Sequence, residues 1–306
     1  MNWLALDIGG ANIKAADGKG YAQSYGFPMW TQAQRLAQQL RTVIYEAPPS
    51  DHLAVTMTGE LADCFESKAA GVRFILDAVH AAGDNRHSRI YLVDGRLVAP
   101  GVALSAPHLA AAANWHALAR FAGRYASAGT ALVIDIGSTT CDIIPLVDGK
   151  PAASGLTDTQ RLLSGELVYT GVERSPICAV VSLVPYRGKS CPVVHEVFAT
   201  MRDTYLILEK IVQDQANVLT ADGKPATKAY ARKRLARMIA ADDDEFNHKD
   251  AVAIAESVAD AQVSRLAAAI QQVSGALPMA PQIAIISGQG EFLAREAIDF
   301  LQMNCP

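Results

Sequence analysis

Ala131-Leu132-Val133-Ile134-Asp135-Ile136-Gly137 restates Leu4-Ala5-Leu6-Asp7-Ile8-Gly9: an apolar run, an aspartate and a glycine. Each run has the length of a strand and ends in a tight turn. Each turn is followed by a second strand-like stretch, Ile13–Ala16 and then Cys141–Leu146, and by another glycine turn at Gly18 and at Gly149. A repeat on this scale points to duplication of a whole domain, not to a solenoid.

Working outward, Tyr21–Phe27 reads as a third strand. A helix follows Thr31, with Leu36, Leu40, Val43 and Ile44 recurring about once per turn and Pro48-Pro49 stopping it. Leu53–Met57 is the next strand, then a helix over Lys68–Ala81, a strand at Ile90–Val93 and an Ala-rich helix from about Leu109 to Arg124. In the second half, Pro151 to about Pro192 reads as an irregular, cleft-wrapping insert. Helices are expected over His195–Leu208, Tyr230–Ala240 and Ala251–Val273. Gln282–Ile286 is a last buried strand, leading into Ser287-Gly288-Gln289-Gly290 and a short helix. Strands alternating with helices predict an α/β protein of two duplicated halves, residues 1–128 and 129–306, with a cleft between them.

Half of the 306 residues are hydrophobic and 19% are charged, enough for packed cores. A net charge of −4 is too even for nucleic-acid or acidic-membrane binding as the main function. No run approaches the roughly 18 apolar residues of a membrane span, and the acid at Asp7 argues against a signal peptide. A cytoplasmic location is therefore expected. The five cysteines form no C-x-x-C pair and have no zinc-type spacing, so reduced thiols are expected.

The two turns carry the chemistry. In the first, Gly9 and Gly10 let the backbone approach a ligand and aim N–H groups at phosphate oxygens. Asn12 adds a side-chain donor, Lys14 a positive charge, and Asp7 a carboxylate able to hold Mg²⁺ through water. The second, Asp135-Ile136-Gly137-Ser138-Thr139-Thr140-Cys141-Asp142, repeats the Asp and Gly and follows them with the hydroxyls of Ser138, Thr139 and Thr140. One phosphate turn per half predicts a phosphate–metal site, with Asp7, Asp135 and Asp142 sharing the metal.

Two such hairpins and a late Ser-Gly-Gln-Gly turn resemble the actin, Hsp70 and sugar-kinase superfamily, whose ribonuclease H-like halves grip phosphates. Asp135–Asp142 resembles the hydantoinase A and oxoprolinase branch. A narrower resemblance runs through Met57-Thr58-Gly59-Glu60-Leu61, Gly165-Glu166-Leu167-Val168-Tyr169-Thr170-Gly171-Val172-Glu173-Arg174, Phe198-Ala199-Thr200, Thr220–Pro225 and Ala231–Met238. Together these resemble the tetrahydromethanopterin-linked one-carbon-transfer proteins of methylotrophs and the methanofuran-core synthases of methanogens. The Gly165–Arg174 block is the most specific part.

That resemblance implies a Mg²⁺-dependent alkyl transferase of methanofuran or methylofuran biosynthesis. It would condense an aminomethyl-furan-methyl diphosphate with the phenol of a tyramine- or tyrosine-type acceptor and release diphosphate. On this reading Asp7, Asp135 and Asp142 hold Mg²⁺, while Gly9, Gly10, Asn12, Gly137, Ser138, Thr139 and Thr140 cradle the diphosphate. Lys14 offsets charge as the C–O bond breaks, Glu60 or Glu166 takes the phenol proton, Asp142 acts beside the metal, and Arg174 orients an anionic group. Thr58, Tyr169, Thr170, Ser287, Gly288, Gln289 and Gly290 would line the substrate. Partners are small molecules, and oligomeric state stays open. Two alternatives remain: an ATP-dependent kinase or oxoprolinase-like amidohydrolase, with Asp158 and Asp203 the available kinase bases, and a non-catalytic nucleotide-binding protein.

Overall fold

Alternation builds the first strand of the computed structural model, which describes residues 1–84, 86–303 and 305. In β1 (Trp3–Ile8) the side chains of Leu4, Leu6 and Ile8 are buried, which turns Asp7 to the opposite face. β1 pairs antiparallel with β2 (Asn12–Ala16), which pairs with β3 (Ala22–Gly26). On its other side β1 pairs parallel with β4 (His52–Met57), followed by β5 (His87–Tyr91) and the short β6 (Leu97–Val98). The sheet order is β3-β2-β1-β4-β5-β6.

The helices Leu36–Glu46 and Lys68–Ala82 bury Leu36, Leu40, Val43, Val72 and Ile75 in one core with Leu4, Leu6, Leu53 and Val55. Ser67 caps the second helix by accepting the Ala70 N–H at 3.2 Å.

The Ala-rich stretch departs from the expected single helix. It forms Pro107–Ala110 and Asn114–Ala122, with Ala112 in the left-handed region at φ 48°. The Leu109 carbonyl accepts the Val93 N–H at 2.8 Å, so a tertiary bond takes the group that a continuous helix would need. Alanine's helix propensity, worth a few tenths of a kcal/mol per residue, is too weak to prevent that.

The second sheet repeats the start of the first. β7 (Thr130–Ile136) pairs antiparallel with β8 (Cys141–Val147) and parallel with β13 (Ile283–Ser287). β8 also pairs with β9 (Lys150–Pro151) and β10 (Leu167–Val168). β11 (Leu183–Tyr186) and β12 (Lys189–Pro192) form a separate hairpin, giving the insert more order than its composition suggested. The 28-residue helix His248–Gly275 packs Ile254, Val258, Leu266 and Ile270 into the core that holds Leu132, Ile134 and Ile143. Asn247 and Asp250 form its capping box.

The helix expected over His195–Leu208 spans only Met201–Ile207. Val193 and Val194 donate to Ser182 and Met238 carbonyls, which keeps that stretch extended, and a Thr200–Asp203 capping box starts the helix. Contacts divide the chain into a first unit, Met1–Arg124 with Gly155–Gln160, and a second unit, Tyr125–Ser154 with Arg161–Pro306. Among the described residues, no helix is long and apolar enough to cross a membrane.

Candidate functional site

Strand register places the same set of groups twice. In the first unit Asp7 lies opposite Lys14 on β2 and opposite Thr56 on β4. In the second, Asp135 lies opposite Asp142 on β8 and opposite Ser287 on β13. Thr56 donates its hydroxyl to Asp7 Oδ1 at 3.2 Å, and Ser287 donates to Asp135 Oδ1. Each aspartate thus sits between a hydroxyl on its parallel neighbour and a charged side chain on its antiparallel neighbour. The turns match as well: Gly9 N–H donates to Asn12 O at 2.9 Å, and Gly137 N–H donates to Thr140 O at 2.9 Å.

The charged neighbour differs between the two copies. Lys14 Nζ is 4.0 Å from Asp7 Oδ2 and is largely exposed, so it is available to an anion. In the second unit Asp142 Oδ1 accepts from Arg161 at 2.8 Å, and the Arg161 side chain is buried. Arg161 also donates to the Glu166 carbonyl at 3.0 Å. The guanidinium fixes Asp142 beside Asp135 and offsets one of two carboxylate charges that would otherwise repel each other across the ladder.

Within the second unit, Asp135 and Asp142 face each other across the β7–β8 ladder. Among the described residues, no three His, Cys, Asp or Glu side chains form a group able to hold a metal ion. The Asp135–Asp142 pair still fits Mg²⁺ on a phosphate substrate, because Mg²⁺ takes one or two carboxylates and fills its other positions with phosphate oxygens and water.

The second turn is buttressed by the Gly165–Arg174 block. Val172 N–H donates to Gly137 O, and the Glu173 and Arg174 amides both donate to Ser138 O, at 2.9 to 3.1 Å. A Cβ on Gly171 would lie 2.5 Å from both Gly137 O and Thr139 N, so only glycine allows this approach. Gly288, at φ +90°, packs against the Ile136 carbonyl, and Gly290 N–H donates to the same carbonyl at 2.9 Å. Tied carbonyls orient the loop, while the Ser138, Thr139 and Thr140 side chains stay partly exposed.

Several residues expected at the ligand carry internal hydrogen bonds. Glu166 is buried, and its Oε1 accepts from the Ser154 N–H at 2.6 Å and the Ser154 hydroxyl at 2.9 Å. Thr170 is buried as well. Its hydroxyl takes the Gln262 amide at 2.7 Å and lies 3.2 Å from the Ser175 hydroxyl. Tyr169, Arg174 and Gln289 are exposed. Asp203, a base on the kinase alternative, closes its helix cap and pairs with buried Arg234. Asp158 pairs with Lys68 at 2.6 Å.

Glu60 differs from all of these. It follows Thr58 and Gly59 at the end of β4, is 1% exposed, and neither carboxylate oxygen makes a hydrogen bond among the described residues. Burial pushes its carboxyl up to about 7, with Asp158 adding to the rise. Lys68 and the backbone amides of Glu60 and Ala112 oppose it.

Sequence reasoning missed Thr56 and Arg161. Thr56 was accessible from alternation: it shares a face with Ala54 and His52 and lies beside Asp7 near the end of the strand. Arg161 had no signal, because its partner is set by tertiary packing.

Comparison with known proteins supports one lineage. A hydantoinase/oxoprolinase family model matches residues 51–305. The (4-{4-[2-(gamma-L-glutamylamino)ethyl]phenoxymethyl}furan-2-yl)methanamine synthase of Methanocaldococcus jannaschii is 30% identical over 299 residues, covering 97% of this chain and 88% of its own. The synthase of the same name from Methanococcus vannielii is 32% identical over 170 residues, 56% of this chain and 75% of its own. Among solved structures, a nucleotide-free acetone carboxylase aligns with a TM-score of 0.56 at 9% identity, covering 99% of this chain and 67% of that one. A PilM-PilN type IV pilus biogenesis complex aligns at 0.51 and 14% identity, covering 100% and 87%. These two alignments show a shared α/β fold. The chain belongs to the hydantoinase/oxoprolinase family, in the branch that holds the furan-methanamine synthases.

Proposed function

We propose that the protein is a Mg²⁺-dependent alkyl transferase that joins an aminomethyl-furan-methyl diphosphate to a phenol and releases diphosphate. The acceptor is a tyramine- or tyrosine-type phenol carrying an amino-acid end, as the product named for the archaeal relatives does. The observation that carries the proposal is the twice-repeated Asp, hydroxyl and glycine-turn arrangement, in a chain of this synthase branch. Such turns present N–H and hydroxyl donors to the oxygens of a leaving diphosphate.

In the reaction the bond from the furan methylene carbon to the diphosphate oxygen breaks, and its electron pair leaves with the diphosphate. A lone pair of the phenol oxygen forms the new C–O bond, and the phenol proton passes to a carboxylate. Each turn offers donors to phosphate oxygens: Gly9, Gly10 and Asn12 in the first unit, and Gly137, Ser138, Thr139 and Thr140 in the second. Lys14 offsets the growing charge of the diphosphate. Asp135 and Asp142 would hold Mg²⁺, which when bound would supply positive charge to the leaving group. Glu60 takes the proton: its carboxyl, pushed up to about 7 by burial, lies closer than an ordinary carboxylate to a phenol whose ordinary pKa is about 10.

The test is diphosphate release by purified protein with Mg²⁺, a furan-methyl diphosphate and a tyramine- or tyrosine-type phenol, with ATP supplied in parallel samples. Phenol-dependent diphosphate release, with an ether of the summed mass, is the expected result. ATP consumption without an ether would sink the proposal.

A further inference from the structure

A second-unit cavity of about 280 Å³ opens beside the buttressed turn and has no role in the chemistry above. Its charged groups are Arg202, Glu173 and Asp214, with the amides of Asn217 and Gln289 beside them, over a floor that includes Leu206. The wall continues the phosphate turn: Arg202 N–H donates to Glu173 O, and Glu173 N–H donates to Ser138 O.

The geometry points to this cavity as the seat of the acceptor's amino-acid end, an ammonium and a carboxylate borne on one carbon. The inference rests on the acceptor class proposed above. Arg202 is nearly buried and held from three sides, by Asn217 Oδ1 at 3.3 Å, Leu219 O at 2.7 Å and Glu173. These bonds leave part of its five-donor fork for a carboxylate. Glu173 and Asp214 outnumber Arg202, so the lining carries excess negative charge that an ammonium offsets.

A ligand with only a negative charge meets two carboxylates here, and one with only a positive charge meets a fixed guanidinium. A zwitterion meets a complement for each of its charges. Apolar groups such as Leu206 and Ile211 line the rest of the wall, but a neutral ligand would leave the charged groups without a partner when it displaced their water. Selection by unsatisfied polar groups is also sharper than selection by shape.

Direct binding to the full chain separates the possibilities, and no donor diphosphate is needed. Titration calorimetry would compare two zwitterionic phenols, tyrosine and γ-glutamyl-tyramine, with tyramine, 3-(4-hydroxyphenyl)propionate and N-acetyl-tyramine. At least one zwitterion is expected to bind roughly tenfold or more tighter than each of the other three, as one charge-assisted hydrogen bond implies. The tighter zwitterion identifies the acceptor's length. Asp214→Asn and Gln289→Ala, each checked for an unchanged melting temperature, should erase that preference.

Equal affinity across all five phenols, no binding of any of them, or an undiminished preference in both variants would overturn the inference. Zwitterion selectivity without ether formation would leave the cavity's assignment standing and refute the alkyl-transfer proposal. Ether formation with equal KM for zwitterionic and singly charged phenols would do the reverse.

Discussion

Glu60 makes one residue answerable to both stability and rate. Its carboxyl is raised from 4.5 to about 7 in the folded chain. A raised carboxyl binds its proton more tightly when folded, so its contribution is complete below pH 4.5 and is lost as pH rises through 7. The difference corresponds to about 3 kcal/mol. Glu60→Gln removes the titration, so the stability of wild type relative to the variant should fall between pH 5 and pH 8 in urea melts. A flat difference would show that Glu60 is solvated or paired. If Glu60 also takes the phenol proton, Glu60→Gln should lower kcat by about 10² to 10⁴ at pH 8. Wild-type kcat should rise with pH to a plateau above 7. Asp135→Asn makes a different prediction. It removes charge at constant size and keeps an oxygen for the Ser287 hydroxyl, so the melting temperature should hold while turnover drops by about 10² or more. Turnover unchanged at subsaturating Mg²⁺ would exclude Asp135 from the metal site.

At the scale of elements, the Leu167–Arg174 strap decides the shape of the second turn. Gly171→Ala puts a methyl 2.5 Å from backbone atoms of Gly137 and Thr139 that cannot rotate away. A cost of roughly 2 kcal/mol is expected, with turnover falling further than stability because the donors at Ser138 and Thr139 are displaced. Gly165→Ala is a control for strain away from the turn: its φ of +78° disfavours any side chain, while its crowding falls on the flexible Gln272 side chain. Equal losses of activity in the two variants would argue against the buttress. The strap also marks what a sequence exposes. The Gly165–Arg174 motif is specific enough to identify a branch, but a motif does not say which residues face a ligand. Glu166 and Thr170 face Ser154 and Gln262. The Asp-x-Gly turns were legible because glycine, aspartate and an apolar run constrain the backbone locally. Strand alternation likewise carries Asp7 to the open face. The Ala-rich helix was not legible, since what broke it was a hydrogen bond from Val93, remote in sequence.

Across the whole molecule, duplication yields two hydrophobic cores, one around Leu4, Leu6 and Val55 and one around Leu132, Ile134 and Ile254. The repeat in the sequence forecasts that much. It does not forecast that Gly155–Gln160 joins the first unit, because that depends on contacts such as the Lys68–Asp158 pair. Separate cores make separate cooperative units the expectation, and the tryptophans allow a test. Trp3, Trp30 and Trp115 all belong to the first unit, so indole fluorescence reports that unit alone. Far-ultraviolet circular dichroism sees both units and is weighted by the long His248–Gly275 helix of the second. Urea unfolding should therefore give different midpoints by the two probes. The fluorescence slope should be too shallow for the surface of a 306-residue chain, because slope scales with surface exposed. If a ligand binds the second unit's cavity, it should move the circular-dichroism transition upward and leave the fluorescence transition in place. Coincident transitions with one full-size slope would mean that the two units unfold as one all-or-none body.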